Sequence, residues 1–297
     1  MDFRRYATGV SVPTLNRNFI HSIMLPCPPL PEQKKIAAVL SSVQDSKEKT
    51  EAAIEATRAL KKSLMKYLFT YGAVSPEEAE DVPLKETEIG MIPEEWEVAK
   101  LGDVVTRKIT DGTHKTPSYT SSGIPFITAT NLTDGRIDFG SCKYISQDEH
   151  LALIRRCKPE KGDILLSKVG TLGSTAMVDS DIDFSIFVQV ALIKPMHRSI
   201  DSGYLKYSLT SSPMQRQIHQ KSSQSTMKYI GVGKIAQLAI PLPPLPTQQH
   251  IADILSAVDH RIEAEENKRK ALEALFKTLL NDLMTGSLRV NELEIQS

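Results

Sequence analysis

A proline-led segment occurs twice in this chain of 297 residues. PCPPLPEQKKIAAVL runs from Pro26 to Leu40, and PLPPLPTQQHIADIL runs from Pro241 to Leu255, 215 positions later. Proline fixes φ and has no N–H, so it suits the first turn of a helix, where that donor would lack a partner. Each copy therefore predicts the start of a long helix, and the duplication predicts one structural unit used twice.

Beyond each start, apolar residues recur in alternating steps of four and three, which is typical of helices that pair lengthwise. In the second copy, eight of ten such positions are apolar. We expect two helices of about 40 residues, each roughly 60 Å long, that pair with each other; two separate core helices are the alternative. The predicted seam and partner-facing residues are Ile36, Leu40, Val43, Ile251, Leu255, Val258, Phe276 and Leu279.

The chain between the helices changes character twice. Residues 73–94 carry seven acidic side chains against one lysine and several prolines, which predicts a linker. From residue 95 to 240, strand-like runs alternate with Gly, Asp and Ser turns, interrupted by one helical stretch near 202–220. We predict an α+β fold, in which a β-rich domain (95–240) lies between two helical segments (26–72 and 241–297).

Charge and composition limit the classes of function. The net charge is zero, but residues 95–245 carry 18 Lys and Arg against 14 Asp and Glu, which permits a phosphate-binding surface. The sequence contains neither a run of eighteen apolar residues nor an apolar secretory leader, and its three cysteines have no CxxC spacing. These features predict a cytoplasmic protein without a membrane span or a disulfide framework.

Catalytic motifs are missing from the sequence. It has no GxxxxGK[ST] loop and no HExxH, and its seven histidines are scattered. The alternating Asp179, Asp181 and Asp183 fit a solvated turn better than a carboxylate site. We therefore predict no catalytic residue and no metal site. The PPLP runs at residues 28–31 and 243–246 could bind an SH3-type groove, but their position before both helices favours a structural role.

Two polar loops are candidate binding elements. ITDGTHKT spans residues 109–116, and KSSQSTMKY spans residues 221–229, directly upstream of the second proline turn. Hydroxyl, amide and lysine side chains hold phosphates and reach base edges in a groove. Ordinary solvated connections are the alternative interpretation.

The order of these parts resembles the specificity subunits of Type I restriction–modification systems. Gly90-Met-Ile-Pro93 with Trp96 and Leu101-Gly-Asp103 is similar to the beginning of a target-recognition domain of that family. Lys161-Gly-Asp-Ile-Leu165 with Gly170-Thr-Leu-Gly173 is similar to its central strand, and the two proline turns resemble the starts of its two spacer helices.

The resemblance implies that the helices pair as an antiparallel coiled coil and that residues 95–240 read one half of a bipartite DNA target. Adenine methylation and ATP-driven cleavage would then belong to modification and restriction subunits, which would bind S-adenosylmethionine and ATP. Residues expected to position the DNA backbone are Lys115, Lys168, Lys221 and Lys228. Residues expected to read bases are Thr110, His114, Ser167, Thr171, Gln224 and Tyr229.

One departure from the family pattern concerns residues 1–25. The family has a whole recognition domain before the first helix, whereas ATGVSVPTL at residues 7–15 resembles only the tail of one. We expect either a homodimer that restores two recognition domains or a partial cassette that needs another chain. A coiled-coil adaptor that binds no DNA is the alternative of a different class.

Overall fold

The structure is a computed structural model that describes residues 7–8, 14–15, 21, 27–223 and 228–290. It divides into two compact units. Unit 1 contains the described residues up to Ala56 and those from Ile262 onward, and unit 2 runs from Thr57 to Arg261.

The first elements in chain order are β1 (Ala7–Thr8), β2 (Thr14–Leu15), α1 (Leu30–Tyr71), α2 (Pro76–Ala79), β3 (Leu84–Thr87), β4 (Gly90–Pro93), β5 (Glu97–Lys100), β6 (Thr110–Asp111), β7 (Tyr119–Thr120), β8 (Ile124–Ile127), β9 (Leu132–Thr133), β10 (Arg136–Ile137) and β11 (Lys143–Ile145). They are followed by α3 (Gln147–Ile154), β12 (Ile164–Ser167), β13 (Thr175–Met177), β14 (Ser185–Ile186), β15 (Val190–Ile193), α4 (Ser202–Thr210), α5 (Ser212–Lys221), α6 (Val232–Ala236), β16 (Ala239–Leu242) and α7 (Leu245–Thr285).

The two long helices begin directly after the two proline turns and have the expected length of about 40 residues. Helix α1 has 42 residues and α7 has 41, and Pro31 and Pro246 each occupy the second position of their helix. Each helix is followed directly by a glycine with positive φ, +87° at Gly72 and +75° at Gly286. A glycine in the left-handed conformation is a common helix stop, because it has no Cβ to clash with the preceding turn.

In unit 1 the two helices pair antiparallel. Glu32 near the start of α1 accepts two hydrogen bonds from Arg289, at 2.7 and 2.8 Å, whereas Glu51 further along α1 pairs with Arg269 at 3.3 Å. Ile36 packs in one apolar cluster with Leu283. Three of the predicted seam residues, Ile36, Leu40 and Leu279, belong to this cluster or pack against it.

In unit 2 the two long helices contact each other and also contribute to the main core. Lys61 of α1 and Asp259 of α7 form an ion pair at 2.5 Å. Ile251 and Leu255 are completely buried in the main core. These two predicted seam residues are therefore covered by the β-rich body of unit 2 and are not exposed to a partner subunit. Val258 and, in unit 1, Val43 and Phe276 are half-buried.

A four-stranded antiparallel sheet in the order β13-β12-β15-β6 lies at the centre of unit 2. Its strand β12 is buried on both faces. Ile164 and Leu166 pack into the main core with the helices, and Leu165 packs into a second core with Ile127 and Ile186. This second core lies towards the other four-stranded sheet, in the order β14-β8-β11-β7. A strand covered on both faces explains the continuous apolar run ILL.

The acidic segment 73–94, predicted as a linker, is folded. Ser75 caps α2 in a reciprocal capping box with Glu78, and β3 and β4 form an antiparallel hairpin. Ile89 and Ile92 are buried in the main core together with Trp96. The helical stretch predicted near 202–220 is also present, but as two helices, α4 and α5.

None of the helices in the described ranges is long and apolar enough to cross a membrane. Within the same ranges, no group of three or more His, Cys, Asp or Glu side chains is arranged to hold a metal ion.

Candidate nucleic-acid interface

The candidate interface is built around the C-terminal end of strand β12. Ser167 ends the strand, and a tight turn leads into β13, closed by a hydrogen bond of 2.9 Å from the Gly173 N–H to the Ser167 carbonyl. Gly170 and Gly173 have φ of +79° and +88°, values that favour glycine. Lys168 and Thr171 lie in this turn.

Strand β6 brings a carboxylate to the same end of the sheet. Asp111 has a side chain only 8% exposed, and its Oδ2 accepts a hydrogen bond from Lys168 Nζ at 2.5 Å. Its Oδ1 accepts from Arg156 at 2.7 Å and lies 3.4 Å from His114 Nε2. The three partners come from three different stretches of the chain.

The electrostatics of Asp111 follow from these contacts. Burial alone would raise the pKa of its carboxyl, but the hydrogen bond and the charge of Lys168, with a smaller contribution from His114, outweigh burial, and the pKa is lowered. Asp111 is therefore ionised at neutral pH and saturated with donors, so it is poorly suited to act as a base.

The second polar loop meets the first at this place. Tyr229 forms an antiparallel bridge with Val169, and the Ile230 N–H donates to the Lys168 carbonyl at 3.0 Å. The Ser223 N–H donates to the Tyr229 carbonyl at 2.8 Å, which closes the base of the loop. The sequence-distant polar segments thus lie side by side. We define the recognition surface as residues 110–115, Arg156, residues 167–171 and residues 228–229.

A close backbone approach fixes the first segment. A Cβ added at Gly112 would lie 1.9 Å from the Ile186 carbonyl oxygen, so only glycine fits there. On the other side of this residue, the Val188 N–H donates to the Thr113 carbonyl at 2.9 Å. His114 and Lys115 consequently project from a rigid base, and both are exposed.

Comparison with known proteins identifies the family. The family model described as Type I restriction modification DNA specificity domain matches residues 2–56 and 93–274. The chain belongs to this family.

Two curated specificity subunits illustrate the likeness. The MjaVIII specificity subunit of Methanocaldococcus jannaschii is 29% identical over 291 residues, which cover 96% of this chain and 67% of the relative. The EcoBI specificity subunit of Escherichia coli is 27% identical over 293 residues, which cover 95% of this chain and 62% of the relative. The chain spans about two thirds of the length of these curated relatives.

The fold agrees with solved structures of the family. The S subunit of a Type I restriction–modification system from M. genitalium superimposes with a TM-score of 0.60 at 16% identity, over 94% of this chain and 68% of that one. A chain from a structure on complex assembly and conformational transition of the type I R-M system gives a TM-score of 0.57 at 22% identity, over 94% and 66%. Both establish the architecture of mixed helix and sheet with long helices.

The residues predicted to bind DNA differ in their exposure. Exposed on the recognition surface are His114, Lys115, Thr171, Lys228 and Tyr229. Their contact with DNA stays a prediction. Gln224 lies outside the described residues. Lys221 ends α5 and is half-buried, and its carbonyl accepts from Lys234 Nζ at 2.9 Å.

Three predicted contacts need correction. Ser167 is 0% exposed and its hydroxyl donates to the Val169 carbonyl, so it is a structural residue and not a base reader. Lys168 is 8% exposed and neutralised by Asp111, so it is not a free phosphate ligand. Thr110 is half-buried, with its hydroxyl 3.6 Å from the Cys157 sulfur, and is directed into the domain.

Sequence reasoning missed the two residues that organise this surface, Asp111 and Arg156. Asp111 lies within the loop ITDGTHKT, but a single aspartate forms no recognisable motif. Arg156 follows helix α3, 45 positions from Asp111 in the chain. No local pattern in the sequence indicates their contact.

Proposed function

We propose that this chain reads duplex DNA as the specificity component of a Type I restriction–modification complex, through the recognition surface of unit 2. One observation supports this function above the others. Polar segments from distant parts of the sequence meet at the end of one rigid sheet, linked by the Lys168–Asp111 ion pair and the Val169–Tyr229 bridge. Binding elements on a rigid scaffold are the usual basis of specific recognition.

The exposed side chains suit two kinds of DNA contact. Lys115 and Lys228 are exposed cations that bind phosphates without regard to sequence. His114 and Tyr229 are exposed groups that donate or accept hydrogen bonds, or stack, and they are candidates for base readout. Thr171 is also exposed, but its hydroxyl donates to the Ala129 carbonyl at 3.1 Å, so it is a candidate as an acceptor. Affinity should depend strongly on salt, and discrimination should depend on the second group.

We also propose a division of labour within the complex. Unit 2 reads one half of a bipartite target, while the antiparallel helices set the spacing and carry the methyltransferase and restriction subunits. S-adenosylmethionine and ATP bind to those partner subunits, and this chain contributes no catalytic residue. The long helices, with exposed Leu275, Leu280 and Met284 on α7, offer apolar side chains for such docking.

Two assemblies are consistent with the proposal. Either two copies pair and supply two readers, or one copy acts with another specificity chain. Light scattering of the complex formed with the methyltransferase subunits distinguishes a particle with two copies from a particle with one. A one-copy particle that methylates a full bipartite target alone would contradict the homodimer.

The test of DNA reading uses the full chain assembled with its methyltransferase subunits. A randomised duplex library is incubated with the complex, and bound duplexes are sequenced after several rounds. We expect one enriched motif and an affinity for it that falls steeply as salt rises. The complex with Lys115→Gln and Lys228→Gln should retain the motif but bind all duplexes more weakly. Absence of any enriched motif would favour the adaptor that binds no DNA.

A further inference from the structure

The Asp111 cluster has an unusual composition for a surface that binds a polyanion. A carboxylate stands among the candidate DNA ligands, where its charge alone would repel phosphates. It is nevertheless 8% exposed and paired with three cationic or titratable side chains, two of which are largely exposed: 58% for Arg156 and 65% for His114. Because a carboxylate at this place weakens phosphate binding, we expect Asp111 to make a contribution that offsets the repulsion.

The geometry points to Asp111 as a positioning residue that holds Arg156 and His114 in the orientation in which they contact DNA, with Arg156 as a direct contact. This inference rests on the proposed function and deepens it. Lys168 neutralises Asp111 from the buried side at Oδ2, whereas Arg156 and His114 share the outward oxygen Oδ1.

The chemistry of arginine makes this arrangement useful. The guanidinium has five donors in a rigid fork, and the described contact with Asp111 uses one terminal nitrogen, Nη2. The remaining donors match a phosphate or the acceptor edge of guanine in two-point contact. An arginine that is already held in place loses less conformational entropy when it binds, so holding it favours the specific complex.

The same sheet provides a matched control. Asp163 and Lys194 form an ion pair at 2.5 Å, with side chains 9% and 7% exposed, very similar to Asp111 and Lys168. Asp163 precedes strand β12, whereas Lys168 follows it, so the two pairs lie at opposite ends of one strand. Neutralising Asp163 removes a buried, lysine-paired carboxylate from the same sheet without touching the recognition surface, and it differs from Asp111 in that burial raises its pKa whereas the pKa of Asp111 is lowered.

The experiment compares Asp111→Asn with Asp163→Asn in the full chain assembled with methyltransferase subunits. The probes are a duplex with the motif selected by the wild-type complex and the same duplex with that motif scrambled. Loss of one held base contact should lower the ratio of specific to non-specific affinity roughly tenfold for Asp111→Asn. Binding to the scrambled duplex should stay equal or increase, because a negative charge is lost. Asp163→Asn should leave the ratio unchanged.

A second pair of variants tests the arginine without removing a buried charge. Arg156→Ala should lower the same ratio by a similar factor, and adding Asp111→Asn to it should cause little further loss, since both act through one contact. The exposed neighbour Arg155, replaced by alanine, should weaken both duplexes equally. This pair decides the matter even if Asp111→Asn does not fold.

Several results would overturn the inference. Wild-type or better affinity of Asp111→Asn for the motif would show that the carboxylate does not support DNA binding. An equal loss of the affinity ratio in Asp163→Asn would show that the effect comes from a weakened fold. An equal affinity ratio in Arg156→Ala and Arg155→Ala would contradict a direct base contact by Arg156. A wild-type complex that selects no motif would refute the proposed function itself, which the wild-type measurement alone reveals.

Discussion

Two lysines that look alike in the sequence should behave in opposite ways when they are neutralised. Lys115 is exposed beside His114, whereas the side chain of Lys168 is 11% exposed and its ammonium lies 2.5 Å from Asp111. We expect Lys115→Gln to change DNA binding and leave stability unchanged. We expect Lys168→Gln to lower stability and leave the salt dependence unchanged.

The magnitudes follow from these environments. An exposed cation on a phosphate contributes about 0.9 to the magnitude of the slope of log affinity against log salt concentration. When salt rises from 50 to 200 mM, the factor by which affinity falls should therefore be about 3.5 times smaller for Lys115→Gln than for wild type. Breaking a buried ion pair by removing one partner costs at least about 3 kcal/mol of unfolding free energy. We expect this lower value for Lys168→Gln, because Arg156 still contacts the Asp111 carboxylate. For a domain of this size, that cost corresponds to a melting temperature lowered by roughly 6–12 °C.

The assay combines thermal unfolding of the full chain with fluorescence anisotropy of the assembled complex on the selected duplex at several salt concentrations. The reasoning is refuted if Lys168→Gln shifts the salt slope by one unit while its melting temperature stays at the wild-type value. A lowered melting temperature in Lys115→Gln would equally contradict the assignment.

Three further predictions concern the scaffold of the site. Leu165→Ala should cost about 3 kcal/mol of unfolding free energy in urea titration, because Leu165 is 0% exposed between two sheets; a cost below about 1 kcal/mol would contradict its position. The lowered pKa of Asp111 stabilises the fold above the ordinary aspartate pKa, near 3.9, and this contribution is lost as pH falls through and below that value. Urea titrations at pH 5 and pH 3 should therefore show wild type losing more stability than Asp111→Asn, and equal losses would show that the carboxyl is not stabilised. Gly112→Ala should lower the melting temperature, since its Cβ would meet the Ile186 carbonyl at 1.9 Å, and an unchanged temperature would refute the close approach.

The long helices could be predicted from the sequence because their signals are local. Prolines in the first turn, a glycine after the last and apolar residues at helical spacing each act within a few positions. The same spacing did not reveal what covers the apolar face. Ile251 and Leu255 fit the seam pattern as well as Ile36 does, yet they fill the core beneath the sheet.

The recognition surface could be predicted only in part. Composition predicts the polar segments, but it does not distinguish an exposed hydroxyl from a buried one, and Ser167 is buried. The environment of Asp111 is determined by contact partners that lie 3, 45 and 57 positions away in the chain. Contacts at such separations depend on strand order, which no local pattern specifies.

The folded segment 73–94 has a consequence for exchanging target specificity between chains of this family. Because Ile89 and Ile92 fill the same core as Trp96, a transplanted reader that begins at residue 95 would leave an apolar hollow behind and carry an uncovered tryptophan with it. The portable module therefore includes the acidic hairpin, and chimaeras joined upstream of Ser75 should be better behaved than chimaeras joined at the apparent end of the linker.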